Sequence, residues 1–385
     1  MVSLSIGLNL LPVFLTTLSV TYGGVGGLSA ELLGRLGALT FAGLVVGIVV
    51  TGPLADRFGA KLFAQLGNGL TAASLVSAAF APSYETLGAS LFGLGLGAGL
   101  LDMVLSPVVS ALNPDRRSAA MNWLHSFNCV GAAATILAGT AALKAGLGWR
   151  GACLGWVPLP LLLMAAFAPL PFPAMSTEGS RVPLGHLVRD RWFLGAMVAI
   201  FLGGATELGM AQWLPAYAER SLGYPVWVGG GALLAFSVAM ALGRMVVGAA
   251  GHRVSPYRVL MAGCLASVLL FLAGSYAPIR SVALVACIAA GFAGSCLWPT
   301  MLAVSADRHP EGGATMFGAL AALGNAGGIV MPWVVGAIAD HSDLRHGLAF
   351  SAVAPALMLP LVAALRRGAA VTAGRPPPPS PVPTP

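Results

Sequence analysis

The chain has 385 residues, of which 57% are hydrophobic and only 9% charged, with a mean hydropathy of +0.85. A soluble domain carries roughly 25% charged residues. Here 20 basic and 13 acidic side chains cannot coat a globule, which excludes a soluble enzyme, and the hydrophobicity excludes a disordered chain.

A helix crosses roughly 30 Å of hydrocarbon in about 20 residues. Apolar stretches of that length fall at 4–22, 34–54, 62–81, 86–110, 119–143 and 151–171, and six more at 193–217, 227–249, 257–276, 281–304, 314–338 and 347–366. The first has no Lys or Arg ahead of it and no small-residue cleavage site, so it reads as a retained span rather than a signal peptide. The pattern predicts an all-α membrane protein. Its twelve transmembrane helices form two pseudo-symmetric six-helix bundles over 1–171 and 192–367, joined by a cytoplasmic linker over 172–191. The Pro-rich residues 368–385 are expected as a disordered tail.

Lys and Arg accumulate in cytoplasmic loops. With the N-terminus in the cytoplasm, most of the 20 basic residues fall on that side, and the reverse topology inverts the bias. Both termini are therefore expected in the cytoplasm, with the chain in an inner or plasma membrane. The net charge of +7 is then a topological bias. Single and paired basic residues make no nucleic-acid stripe, so no nucleic-acid partner is expected. Cys129, Cys153, Cys264, Cys287 and Cys296 lie in apolar runs without CxxC or metal spacing. They read as small buried hydrophobes, and neither cofactor nor metal is expected.

The halves superpose at a near-constant offset. Gly52 falls on Gly248, Arg57 on Arg253 and Gly95 on Gly291; one residue further, Asn128 falls on Asn325, Gly131 on Gly328 and Gly139 on Gly336. Glycine is abundant, so chance competes, but the matching six-span blocks favour a duplicated unit. Two repeats facing each other across a midplane cavity make an alternating-access architecture.

Between spans two and three stand Gly52, Asp56, Arg57, Gly59 and Lys61, echoed at the equivalent eight–nine position by Gly243, Arg244, Gly248, His252 and Arg253. Physically this is a latch. Glycines let helices approach, and a carboxylate beside a helix end and basic groups holds one conformation shut. The bland alternative is a solvated turn. The pattern resembles the loop signature of the major facilitator superfamily. Span four reads Gly99-Leu-Leu-Asp102-Met-Val-Leu-Ser106-Pro107 and span five Phe127-Asn128-Cys-Val-Gly131-Ala. Together with Gly324-Asn325-x-Gly327-Gly328 and Pro332 in span eleven, these resemble the fucose/galactose/glucose–proton symporter family. That resemblance implies a proton-carrying role for Asp102 and a sugar contact for Asn128. Unlike that family, span one holds no acid.

Ionisable groups inside a span are functional candidates. By residue count Asp102 and Glu207 fall near mid-depth, with no Lys or Arg at comparable depth to pair with them. A desolvated carboxylate without a cation favours its neutral form, which suits proton coupling; the alternative is a permanently protonated hydrogen-bonding acid. Asn128 offers both a donor and acceptors for a hydroxyl-rich ligand, or ties helices together. His125 shares its face nearer the cytoplasm, where a structural role competes. Gln212, Trp213, Trp298 and Asn325 complete the set of substrate-binding candidates, although tryptophans in spans commonly only pack.

The sequence thus reads as a monomeric secondary transporter, not an enzyme, moving a small polar solute, a sugar or related metabolite, by proton symport. Two rivals stand beside it: a proton-coupled exporter of the same architecture and a non-transporting membrane sensor. No HExxH, GxSxG or P-loop motif is present, which sets aside intramembrane enzymes and ATP-driven pumps.

Overall fold

In the computed structural model, residues 1–112, 117–173, 184–250, 254–309 and 313–373 are described. Among them there are helices and turns and no strand. Helix α1 spans Val2–Gly23, α2 Ala30–Phe58, α3 Ala60–Ala79, α4 Tyr84–Leu112 and α5 Arg117–Lys144, followed by α6 (Gly148–Trp156) and α7 (Pro158–Phe167). A short α8 (Leu184–Leu187) precedes α9 (Arg191–Arg220), α10 (Val226–Ala250), α11 (Pro256–Tyr276), α12 (Arg280–Gly294) and α13 (Leu297–Arg308). Last come α14 (Gly313–His341), α15 (Leu344–Phe350) and α16 (Val353–Ala373).

Every stretch predicted to span coincides with helix. Among the described residues, 10 helical segments are long and apolar enough to cross a membrane, and Val130–Lys144 is a shorter apolar run. Three predicted spans are broken, between α6 and α7, α12 and α13, and α15 and α16. Helix α16 continues past residue 367 to Ala373; the rest of the expected tail, residues 374–385, lies outside the described residues.

Large apolar side chains face outward, among them Leu162 (66% exposed) and Val285 (64%). In water such a surface would aggregate, whereas lipid solvates it. Inside, glycine does much of the packing. Along α4 the four alternate glycines split between two neighbours. A Cβ on Gly95 or Gly99 would strike backbone of α2 at Thr40 or Leu44, whereas one on Gly93 or Gly97 would meet α3 at Ser74 or Thr71. Because lipid tails solvate apolar groups as well as another helix does, such close backbone approach is what drives association. In the C-terminal half, α9 and α14 meet in the same way: Cβ atoms on Gly204 and Gly327 would strike Gly324 and Phe201 carbonyl oxygens.

The two groups of helices meet chiefly where α2 lies along α14 and α5 along α10. Contacts across this seam gather at the end of the bundle that carries residues 24–29, 145–147, 221–225 and 342–343: Gly34 meets Pro332 and Trp333, Gly336 meets Ala30, and Gly230 meets Thr140. The buried cysteines Cys153, Cys264, Cys287 and Cys296 are free thiols; the side chain of Cys129 lies outside the described residues.

Candidate functional site

Helix α9 carries Glu207 one turn from Gly204, where it packs on α14. The Arg244 guanidinium reaches it from α10, with Nη2 3.1 Å from Oε2 and 3.4 Å from Oε1. Arg244 Nε also donates to the Ser295 carbonyl at 3.2 Å. Sequence explains why that carbonyl is free. Its helical partner would be the N–H of residue 299, which is proline, and proline has no N–H to give. The resulting break between α12 and α13 offers a backbone acceptor to a cation. The Glu207 side chain is 19% exposed and that of Arg244 39%, so the pair lines a partly open space.

This corrects the expectation that no cation lies within reach of Glu207. Counting residues along each span gives the depth of a Cα atom. It misses both lateral neighbours and the reach of an arginine side chain. Arg244, expected with the loop latch, is turned inward to Glu207.

Asp102 is half-buried on α4. Leu4 from the first turn of α1 clusters with Ala98, Leu101 and Leu105 around it. Asp102 is therefore level with the first turn of α1, nearer one end of the bundle than the middle. The positive end of the α1 dipole lies close to it there.

The remaining candidates divide. Asn128 on α5 is held by Ser5 on α1, whose hydroxyl donates to the Asn128 side-chain oxygen and, at 2.8 Å, to its backbone carbonyl. Asn9 donates to the Ser5 carbonyl at 2.9 Å. Ser5 is a partner that sequence reasoning missed; its spacing one helical turn before Asn9 was the available signal. The His125 side chain lies outside the described residues. Trp298 at the start of α13 packs over Gly324 of α14, beside Asn325, whose side chain donates to the Ala321 carbonyl at 3.0 Å. Trp213 is fully buried and donates its indole N–H to the Pro332 carbonyl at 2.9 Å. Gln212 is buried against Gly37 at the seam, and its amide nitrogen has no hydrogen-bond partner. Thus Glu207, Arg244, Trp298 and Asn325 gather in the C-terminal half, Asp102 and Asn128 in the N-terminal half, and Gln212 and Trp213 at the seam.

Of the latch, Gly59 takes φ +84 and serves as the C-cap of α2 and the N-cap of α3, a left-handed turn that favours glycine. Lys61 donates to the Ala168 carbonyl at 2.7 Å, tying α3 to the end of α7, where free carbonyls welcome a cation. Arg57 lies over the Phe58 ring at 5.2 Å. Gly52 faces the Met103 methyl, and Gly243 lets α10 approach the Phe292 carbonyl of α12. The Asp56 side chain and the whole of Arg253 lie outside the described residues. No group of three or more His, Cys, Asp or Glu suited to a metal occurs among the described residues.

The Major Facilitator Superfamily model matches residues 1–265 and 230–385. A gentisate transporter of Corynebacterium glutamicum is 29% identical over 333 residues, covering 80% of this chain and 73% of the relative. A probable nitrate/nitrite transporter of Mycobacterium tuberculosis is 26% identical over 318 residues, covering 77% of each. The fold is that of the fucose:proton symporter of E. coli, with TM-score 0.64 and 19% identity over 94% of this chain and 95% of that one.

Proposed function

The chain belongs to the major facilitator superfamily, and from that premise we propose that it carries a small polar solute across the inner membrane by proton-coupled alternating access. On this reading twelve crossings form two bodies, 1–171 and 192–367, that rock about the seam. The positive-inside bias puts the residue 24–29 end of the bundle outside and both termini in the cytoplasm.

The observation that carries the reading is the Glu207–Arg244 pair. Holding two charges out of water is costly, and intramembrane charges mark solute and proton paths. Arg244 presents a planar fork suited to a carboxylate. A solute carboxylate arriving there competes with Glu207, which is left beside a second negative charge and becomes neutral by taking a proton. Solute and proton then bind together and leave together. A small anion is therefore the favoured cargo, as the names of the gentisate and nitrate/nitrite relatives also suggest, and a carboxylate fits the Arg244 fork. Asp102 is the second proton-coupling acid, and Trp298 and Asn325 flank the solute.

The Ser5–Asn128 pair supports a second reading, a neutral sugar bound through hydroxyl groups. Proteoliposomes with an imposed proton gradient separate the two. Gradient-driven accumulation of gentisate or other small carboxylates, lost in Glu207→Gln, supports the anion reading. Accumulation of sugars alone replaces it with the sugar reading. Movement of solute against the direction of proton flow makes the protein an exporter.

A further inference from the structure

The first N–H groups of a helix have no partner within it. At the start of α2, Ser29 accepts the Leu32 N–H at 3.2 Å, which leaves the N–H groups of Ala30 and Glu31. Both are taken by one carboxylate from the other half of the molecule. Asp340, in the last turn of α14, accepts Ala30 N–H on Oδ1 and Glu31 N–H on Oδ2, the latter at 2.6 Å. A carboxylate bound by two N–H groups at the positive end of a helix is a strong, directional contact.

The surroundings extend the same junction. The Trp333 indole N–H of α14 donates to Glu31 Oε1 at 3.1 Å. Backbones touch at Gly34, where a Cβ would stand 2.7 Å from the Pro332 oxygen. A cavity of about 530 Å³ opens beside Asp340, lined also by Arg220, Ser29 and Trp213. Deeper in the seam the buried Gln212 amide nitrogen is without a partner, which opposes the closed arrangement.

We infer that Asp340 is the bolt of a gate at this end of the molecule. It holds α2 against α14 while the halves part at the other end, and the unsatisfied Gln212 amide biases the gate toward opening. Asp340 is a positioning residue: it acts through the α2 terminus and touches no solute. A favourable cap and an unfavourable buried amide on one seam keep the two states close in free energy, as a transporter that must visit both requires. Closure of the seam depends on the Asp340 charge; release of it lets the halves part.

The inference rests on the transport reading for its purpose, but its test needs no solute, so each can fail alone. Spin labels on Leu147→Cys and Ile279→Cys, exposed positions on opposite halves, report the distance across this end in the purified full chain. Labels on Phe58→Cys and Val254→Cys report the other end, with unsubstituted protein as control for native thiols. Asp340→Ala is expected to lengthen the first distance in most molecules and to shorten the second, as rocking demands. Asp340→Asn, which preserves shape and removes charge, shifts both in the same sense by less and keeps the test standing if the alanine variant does not fold. Adding Gln212→Leu to Asp340→Asn returns part of the population to the closed distances. An unchanged first distance overturns the inference, and so does a lengthened first distance with the second unmoved, which is local fraying.

Discussion

Asp102 in the N-terminal half and Glu207 in the C-terminal half looked alike by residue count, each an acid deep in an apolar helix. The structure gives them different company. Glu207 has a guanidinium that is itself anchored on the Ser295 carbonyl, whereas Asp102 has the field of a helix start. Glu207 can lose its partner to a competing anion and retake it. Asp102 stands beside the first turn of α1, whose dipole is part of the backbone. The comparison separates an ion pair bridging two helices from an acid set at a helix start.

The largest expected effect breaks the first of these. Arg244→Ala leaves Glu207 without its cation, and losing one partner of a buried pair costs about 3–5 kcal/mol, less here because Arg244 is 39% exposed. Gradient-driven uptake should vanish and the thermal midpoint fall. Combining it with Glu207→Gln should restore the midpoint and leave uptake absent, and a midpoint that stays low would show that Arg244 acts by packing. Next, Asp102→Asn should abolish accumulation and spare counterflow exchange in proteoliposomes. If exchange is lost as well, the two acids share one role and the contrast fails.

A smaller effect tests whether the halves are built alike. Gly95→Ala and Gly204→Ala each push a methyl into a facing carbonyl, of Thr40 and Gly324. Overpacking of this kind costs about 1–3 kcal/mol, so both should lower the thermal midpoint comparably; a one-sided loss would make one half the weaker. The smallest effect contrasts two helix caps. Asp343 caps α15 through the His346 N–H at 2.9 Å, as Ser29 caps α2, and loss of either costs about 1 kcal/mol. The His346 N–H holds the Asp343 carboxyl below its usual range. Its folded value being depressed, its contribution is present above the ordinary carboxylate range and disappears as pH falls through the folded value. The stability gap between parent and Asp343→Ala should therefore close in acid, whereas that for Ser29→Ala, which carries no charge, should not.

How much of this was legible follows from what each signal measures. Hydropathy found every long helix because lipid-facing surface must be apolar wherever it lies. The alternate glycines of α4 are plain in the sequence, but that they face two different neighbours is not. The three helix breaks were missed, since apolar runs continue through them; Pro299 following Ser295 by four was the clue for one. The Glu207–Arg244 and Ala30–Asp340 contacts were invisible, because each joins positions far apart in the chain and no periodicity encodes lateral neighbours.

The alternate glycines of α4 carry a thermal consequence. Where main chain rests on main chain, cohesion comes from dispersion and Cα–H···O contacts rather than from expelling water, the force that fades on cooling. Chilled protein should therefore keep its helices locked side by side, and any slowing of turnover in the cold would belong to the travel between faces.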